Sequence, residues 1–298
     1  MALPSYRKLH KKGVIKNRIE NIGEILKNCN LCPQNCQVNR LNGEMGACNS
    51  DYRIKIASFG PHYGEENVLV GNKGSGTIFF SNCNLKCAYC QNFEISQYGQ
   101  GYYIKPEKLA EIMMQLQNRG CHNINLVTPT HMLYGILQAL EIACEAGLNL
   151  PLVYNSGGYE NVTTLKLLEG IVDIYMPDIK YADNNSAREY SFADNYYDIA
   201  KKAVLEMHRQ VGDLKTLNKI AESGLIIRHL VLPEDIAKTE KIIDFIAKKI
   251  STNTFFNLMD QYYPYYNADK VDKLNQKVDY KNFLDLLRYA KEKGLRMA

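Results

Sequence analysis

From residue 76 onward, short continuous apolar runs alternate with stretches whose apolar positions recur every three to four residues. The runs are "GTIFFS" (76–81), "INLVTP" (124–129), "LPLVYNS" (150–156), "VDIYMPDI" (172–179), "LIIRHLVLP" (225–233) and "FFNLM" (255–259). Their length and apolar content predict buried strands. Between them, "PEKLAEIMMQLQNRG" (106–120) opens on a proline and sets Leu109, Ile112, Met113 and Leu116 on one helical face. "HMLYGILQALEIACEAG" (131–147) brings Leu133, Ile136, Leu137 and Leu140 into register, and Gly147 ends it. Further helices are expected over 160–170, 186–211, 236–250 and 280–293.

Six strands alternating with helices predict a parallel α/β sheet with crossover helices, either a barrel or an open doubly wound sheet. No G-x-G-x-x-G follows the first strand, which removes the main support for a dinucleotide-binding version. In parallel α/β architectures ligands gather at the C-terminal ends of the strands. Polar residues cluster there. Cys83 follows the first strand, Thr128 to His131 end the second, Asn155 to Gly158 end the third, and Asp178 and Lys180 end the fourth. The strand ends are expected to form one site.

Composition narrows the partners. The chain has 298 residues, 46% of them hydrophobic, with 36 basic and 32 acidic residues and a net charge of +4. That allows a sizeable core, and the charge is too small and dispersed to argue for nucleic acid or a membrane surface. No apolar run approaches the roughly 20 residues that span a bilayer. The start, "MALPSYRKLHKKGVIKNR", is basic without the apolar stretch of a secretory signal, so a cytosolic location is expected.

Seven of the nine cysteines fall in two clusters within the first third of the chain. In a reducing compartment such spacing points to metal binding or redox chemistry rather than disulfides. Cys121 and Cys144 stand alone and read as small buried hydrophobes. Cys29, Cys32, Cys36 and Cys48 form C-x2-C-x3-C-x11-C, with Gly43 and Gly46 available for tight turns. Four thiolates close a tetrahedral shell, and either zinc or a [4Fe–4S] cluster accepts them. In so small a segment, metal would supply much of the folding energy. Residues 1–52 are therefore expected to be an N-terminal extension, and 53–298 the α/β domain. Cys83, Cys87 and Cys90 form C-x3-C-x2-C directly after a strand. Three ligands leave one coordination position open.

C-x3-C-x2-C with Tyr89 just before the last cysteine resembles the signature of radical S-adenosylmethionine enzymes. The resemblance implies a [4Fe–4S] cluster on Cys83, Cys87 and Cys90, with its free iron chelating S-adenosylmethionine. It also implies reductive cleavage of that cofactor to a 5′-deoxyadenosyl radical, which abstracts hydrogen from a substrate. "DIK" at 178–180, after a strand carrying Met176, is similar to the Asp-Ile-Lys stretch of glycyl-radical-enzyme activases, typified by the pyruvate formate-lyase activating enzyme. That likeness implies a cofactor-carboxylate site and an associated monovalent-cation site, to which Asn155 and Ser156 contribute from the preceding strand. "GSGTIFFSNCNLKCAYCQNFEIS", "LVTPTH", "YNSGGYE" and "RHLVLP" resemble an uncharacterised subgroup of activase homologues, from about residue 29 to 262. The implied fold is a partial (β/α)6 barrel. The implied partners are an electron donor such as flavodoxin or ferredoxin, and a protein, peptide or small-molecule substrate.

The chain departs from the family at one point. Typical members carry Gly-Gly-Glu after the second strand, whereas Thr128-Pro129-Thr130-His131 stands here. His131 is either a helix-start residue or a substitute cofactor contact, and is taken as the contact. Arg228, inside an apolar strand, is either a paired core charge or a guanidinium placed to grip a carboxylate. "DQYYPYYNADK" (260–270) is either a core-covering loop or an aromatic wall over a substrate opening. A non-enzymatic metal-binding module is the competing class, and it would need no polar set at the strand ends.

Overall fold

The computed structural model describes residues 3–298. Helices α1 (Tyr6–Lys11) and α2 (Val14–Lys27) precede the cysteine-bearing segment 28–53. Strands β1 (Ile54–His62) and β2 (Ser75–Phe80) pair antiparallel around a loop that carries the one-turn helix α3 (Asn67–Val70). The second cysteine loop follows β2 and contains α4 (Phe93–Ser96), after which β3 (Tyr102–Ile104) pairs with β1. Then come α5 (Pro106–Asn118), β4 (Ile124–Val127), α6 (Leu133–Glu145), β5 (Leu152–Ser156), α7 (Val162–Leu167) and β6 (Ile174–Pro177). Helices α8 (Asn184–Ser191) and α9 (Tyr196–Val211) lead to a hairpin of β7 (Lys215–Leu217) and β8 (Ile220–Leu230). The chain ends with α10 (Thr239–Phe245), β9 (Phe255–Met259), α11 (Tyr280–Glu292) and β10 (Arg296–Met297).

The sheet order is β10-β9-β8-β6-β5-β4-β2-β1-β3, and the six expected strands form its parallel centre from β2 to β9. This is a mixed α/β fold of the partial-barrel type. No pairing joins β9 back to β2, so one side stays open, and the β1–α3 loop occupies it. Leu69 of α3 is buried with Val153, Ile174, Met176, Ile226 and Phe255 from the inner strand faces. The predicted faces of α5 and α6 are buried against the sheet, and Cys121 and Cys144 lie in the same core. Each such aliphatic side chain contributes about 1.5–3 kcal/mol by leaving water.

Several boundaries differ from expectation for local reasons. The stretch 186–211 is two helices, because the backbone turns left-handed at Phe192 (φ 52°) and Asn195 (φ 53°). The helix expected over 236–250 starts only at Thr239, after Lys238 at φ 55°, and its last turn, Ile246–Ile250, is wound wider. The N-terminal extension shares the main core: Tyr6, Ile15, Ile22 and Leu26 are buried in it. Asp173 fastens that segment to the strand starts, accepting from Ser5 N and Leu152 N, both at 3.0 Å. Among the described residues no helix is long and apolar enough to cross a membrane.

Candidate active site

A cleft of about 390 Å³ lies at the C-terminal ends of the parallel strands, lined by Cys83, Cys87, Tyr89 and Cys90. Thr128, Asn155, Ser156, Asp178, Lys180 and Arg228 line the rest. A larger hollow of about 950 Å³ sits at the opposite end of the barrel, between Asn67, His122, Ile220 and Arg296. It gathers none of the residues singled out above, so the chemistry belongs to the smaller cleft.

The cysteine loop is hung by its backbone. Asn82, left-handed at φ 72°, donates from N to Ile95 O at 2.8 Å. Lys86 N and Ala88 N donate to Ser191 O and Tyr190 O, and Ala88 O accepts from Asn267 N at 2.9 Å. Each sulfur meets a polar hydrogen-bonding group. Leu85 N donates to Cys83 Sγ at 3.3 Å, Ser191 Oγ donates to Cys87 Sγ at 3.0 Å, and Ser96 Oγ stands 3.0 Å from Cys90 Sγ. Burial pushes the Cys83 thiol up to about 12 and raises Cys87 as well, although Lys180 opposes the latter shift. A thiolate here therefore needs a cation bound to it.

Among the described residues no three His, Cys, Asp or Glu donors converge tightly enough to hold a single metal ion. A lone tetrahedral ion with bonds of about 2.3 Å asks for sulfurs about 3.8 Å apart. An iron–sulfur cluster sets each thiolate on a different iron, and so takes a wider set. Three cysteines lining one cleft, with hydrogen-bonding groups at their sulfurs, fit a cluster. Tyr89 is buried beside them, its ring 6.3 Å from Tyr181 and 5.9 Å from Tyr262.

In the same cleft one carboxylate organises two cations. Lys180 Nζ donates to Asp178 Oδ2 at 2.8 Å and Arg228 Nε to Asp178 Oδ1 at 2.9 Å. Arg228 also donates to Asn155 Oδ1 at 2.7 Å and to Glu65 Oε2 at 3.4 Å. Burial works against ionisation of Asp178, but Arg228 and Lys180 outweigh it and hold the carboxyl below its ordinary value. Arg228 is thus both a paired charge and a residue of the cleft. Tyr196 Oη ties the strand ends beneath it, meeting Gly157 O at 2.8 Å, Asp178 O at 3.1 Å and Lys180 N at 2.9 Å. Gly158, at φ 74°, packs so closely on Asp178 O that a Cβ there would collide with it. Ser156 Oγ accepts from Gly158 N at 3.3 Å. Thr128 adopts φ 58°, uncommon for a β-branched residue, and its N–H donates to Asn155 O at 2.8 Å.

Two predicted contacts are not brought into the cleft. Met176 is fully buried below it, in the barrel interior beside Ile174 and Phe255. His131 is 3% exposed and lies behind β2, with Nε2 2.8 Å from Ser81 O. Burial drives its pKa down to about 3, so the ring is neutral and Nε2 donates. It braces the base of the cysteine loop. Of the segment 260–270 only Gln261 lines the cleft, with Gln91 Nε2 donating to Gln261 O at 3.1 Å, and Tyr262 is buried in the core beneath.

Cys29, Cys32 and Cys48 are buried and Cys36 is half-buried. Ala47 N donates to Cys36 Sγ at 3.1 Å, and a Cβ on Gly46 would stand 3.3 Å from Cys36 Sγ and 3.6 Å from Cys48 Sγ. Burial, the first cause, and neighbouring thiols raise both Cys32 and Cys48. This lobe abuts the second cysteine loop. Gln34 Nε2 donates to Asn84 O at 2.8 Å, and Asn82 Nδ2 donates to Asn49 O at 3.0 Å.

No pattern in the sequence marks His62, the last residue of β1, or Glu65 and Glu66 of the β1–α3 loop, which reach the open side of the barrel, nor Glu160. Glu160 is buried and accepts from Thr130 Oγ1 at 2.6 Å and Tyr154 Oη at 3.2 Å, and burial raises it to about 7. The nearest signal is "YNSGGYE", whose Asn155 to Gly158 mark the strand end while Glu160 carries no assignment.

Residues 77–246 match the Radical SAM superfamily. An uncharacterised protein of Methanocaldococcus jannaschii is 35% identical over 301 residues, covering 96% of this chain and 80% of that protein. The structure of Streptococcus suis SuiB bound to precursor peptide SuiA is similar with a TM-score of 0.51 and 16% identity, over 73% of this chain and 46% of that one. Native anSMEcpe with bound AdoMet and Cp18Cys peptide gives 0.50 and 14%, over 73% and 60%. At such identities the two solved structures show a shared fold, and this chain covers less than two thirds of either.

Proposed function

We propose that this chain, which belongs to the Radical SAM superfamily, is an enzyme drawing a hydrogen atom from a peptide or protein segment at the mouth of its partial barrel. Membership implies a [4Fe–4S] cluster and S-adenosylmethionine as its cofactors. Together, when bound and reduced, they supply a carbon-centred radical able to take that hydrogen. The observation that carries the reading is one cleft lined by Cys83, Cys87 and Cys90 together with the Asp178–Lys180–Arg228 set.

The cysteines hold the cluster and leave one position open. Asp178 fixes Lys180 and Arg228 as a cationic edge suited to a carboxylate. An ammonium has three donors, and one of Lys180's is engaged by Asp178. Asn155, Ser156 and the Thr128 backbone supply further polar groups, with Tyr89 as a packed wall. Met176 and His131 act one step back, as floor and brace. A monovalent cation beside Asp178 belongs to the same reading.

The mouth supports a peptide or protein substrate. Tyr98, Tyr263 and Tyr265 are exposed, and Phe93 stacks on Tyr266 at 5.2 Å between the cysteine loop and the 260–270 segment. Rigid rings with polar tips suit a peptide surface. Activation of a glycyl radical enzyme, with a flavodoxin- or ferredoxin-type electron donor, is the narrower form, supported by the Asp-Ile-Lys likeness at 178–180. In this reading Cys29, Cys32, Cys36 and Cys48 hold a second metal centre, either an iron–sulfur cluster, which takes thiolates set apart, or a zinc ion, which would draw the four sulfurs together. The test is anaerobic. Reconstituted, dithionite-reduced protein should cleave S-adenosylmethionine to 5′-deoxyadenosine, and Cys87→Ala should abolish it. Unchanged cleavage in that variant would sink the assignment.

A further inference from the structure

The β1–α3 loop carries Glu65 and Glu66 into the open side of the barrel. Glu66 stands at the N-cap of α3, where a side-chain oxygen commonly accepts from its own helix, yet it makes no such bond. It turns across the seam instead, and Oε1 accepts from Asn257 Nδ2 at 3.0 Å. The residue is 8% exposed, and its Oε2 is buried without a partner. A dry, unbonded carboxylate oxygen is costly to the fold.

Arg228 does not meet that need. Its nitrogens are directed to Asp178, Asn155 and Glu65, and it comes no nearer to Glu66 than 4.0 Å, on Oε1. Three carboxylates, Asp178, Glu65 and Glu66, meet two basic side chains, Lys180 and Arg228, here. His62 also faces this part of the cleft. A hollow of about 260 Å³ opens beside the main cleft, lined by Glu65, Glu66, Phe255, Asn257 and Met259, with Arg228, already engaged by Asp178, Asn155 and Glu65, on its edge. Burial raises the Glu65 carboxyl, a shift that a bound cation would reverse.

We infer that Glu65 and Glu66 form an anionic subsite that takes a protonated nitrogen, the ammonium or guanidinium of a basic side chain on the substrate peptide. Acceptors without donors select N–H groups, and Phe255 and Met259 offer apolar surface to the aliphatic stem that carries one. The inference rests on the peptide reading above and narrows it to basic peptides.

Isothermal titration of the full chain with acetyl-arginine amide and acetyl-lysine amide, against uncharged acetyl-citrulline amide, tests it. The cationic probes should bind at least tenfold more tightly. That preference should vanish in Glu66→Gln and shrink in Glu65→Gln, while Glu24→Gln, an exposed carboxylate on α2, should keep it. If Glu66→Gln does not fold, the wild-type ratio and Glu65→Gln decide. Equal affinities in the wild type would overturn the inference, as would a tenfold preference surviving both glutamine variants. Loss of S-adenosylmethionine affinity in Glu66→Gln, with cation binding intact, would assign the carboxylate to the cofactor and overturn it too. Cofactor cleavage is scored separately. Cleavage without cation preference overturns this inference alone, and cation preference without cleavage overturns the proposed function alone.

Discussion

Asp178 holds two cations on its two oxygens, so removing its charge frees both at once. Asp178→Asn should leave the cluster spectrum intact and weaken S-adenosylmethionine binding by about 1–3 kcal/mol, the scale of a buried hydrogen bond to a charged group. That is roughly 5- to 150-fold in Kd. A spectroscopic titration giving wild-type affinity would return Asp178 to a purely structural role. Glu160 makes a different prediction, in pH. Its folded pKa of about 7 lies above the unfolded value of about 4.3, so the native state binds the extra proton between those limits. Stability from this group is therefore present at low pH, lost as pH rises from about 4.3 to about 7, and flat beyond. Glu160→Gln cannot titrate. Relative to wild type in the same metal-loaded state, it should gain on the order of 2–3 kcal/mol between pH 5 and pH 8 by denaturant titration. Asp173, raised to about 6, is common to both proteins and cancels. A pH-independent difference would mean that Glu160 is ionised throughout.

At the scale of elements, the site depends on how the ends of β5 and β6 are held. Tyr196, the first residue of α9, reaches back to both ends with one hydroxyl. Tyr196→Phe leaves the ring packed but strands buried polar groups, so a loss of about 1–3 kcal/mol is expected. Cofactor affinity should fall with it, because Asp178 and Lys180 lose their anchor. Unchanged melting and unchanged affinity would show that the tie carries nothing. The sequence made the six parallel strands legible because each is a continuous apolar run. It hid β1, whose buried residues are only Ile54 and Ile56 and whose remainder is mixed in polarity. Without β1 the seam loop has no frame, and nothing in the pattern singles out Glu65 and Glu66. His131 failed for a related reason. Chain position placed it at a strand end, but the side chain's direction depends on the turn at Thr128, whose left-handed backbone no periodicity announces.

For the molecule as a whole, the N-terminal cysteine lobe is built into the barrel. Arg40 is 1% exposed and spans the junction, donating to Ser50 O at 3.1 Å, to Asp51 O, and to His131 O at 2.6 Å. His131 in turn meets Ser81, the residue that leads into the second cysteine loop. Together with the Gln34–Asn84 and Asn82–Asn49 bonds, this couples the folding of one cysteine set to the placement of the other. If a metal closes the lobe, losing it should loosen the second loop without touching its ligands. Cys32→Ala should therefore lower cluster retention on Cys83, Cys87 and Cys90, although Cys32 does not line the cleft. The spectral change of the cluster on adding S-adenosylmethionine, which only the Cys83, Cys87 and Cys90 cluster would give, measures this, and a full-amplitude change would separate the two lobes. Metal identity needs the converse protein. With Cys83, Cys87 and Cys90 all replaced by alanine and the chain purified without oxygen, about one zinc per chain would mark a structural site. About four irons with sulfide would mark a second cluster. The lobe carries few apolar side chains of its own, so a folded chain with neither metal would mean that the barrel contacts alone hold it, and that its four thiols serve some chemistry other than ligation.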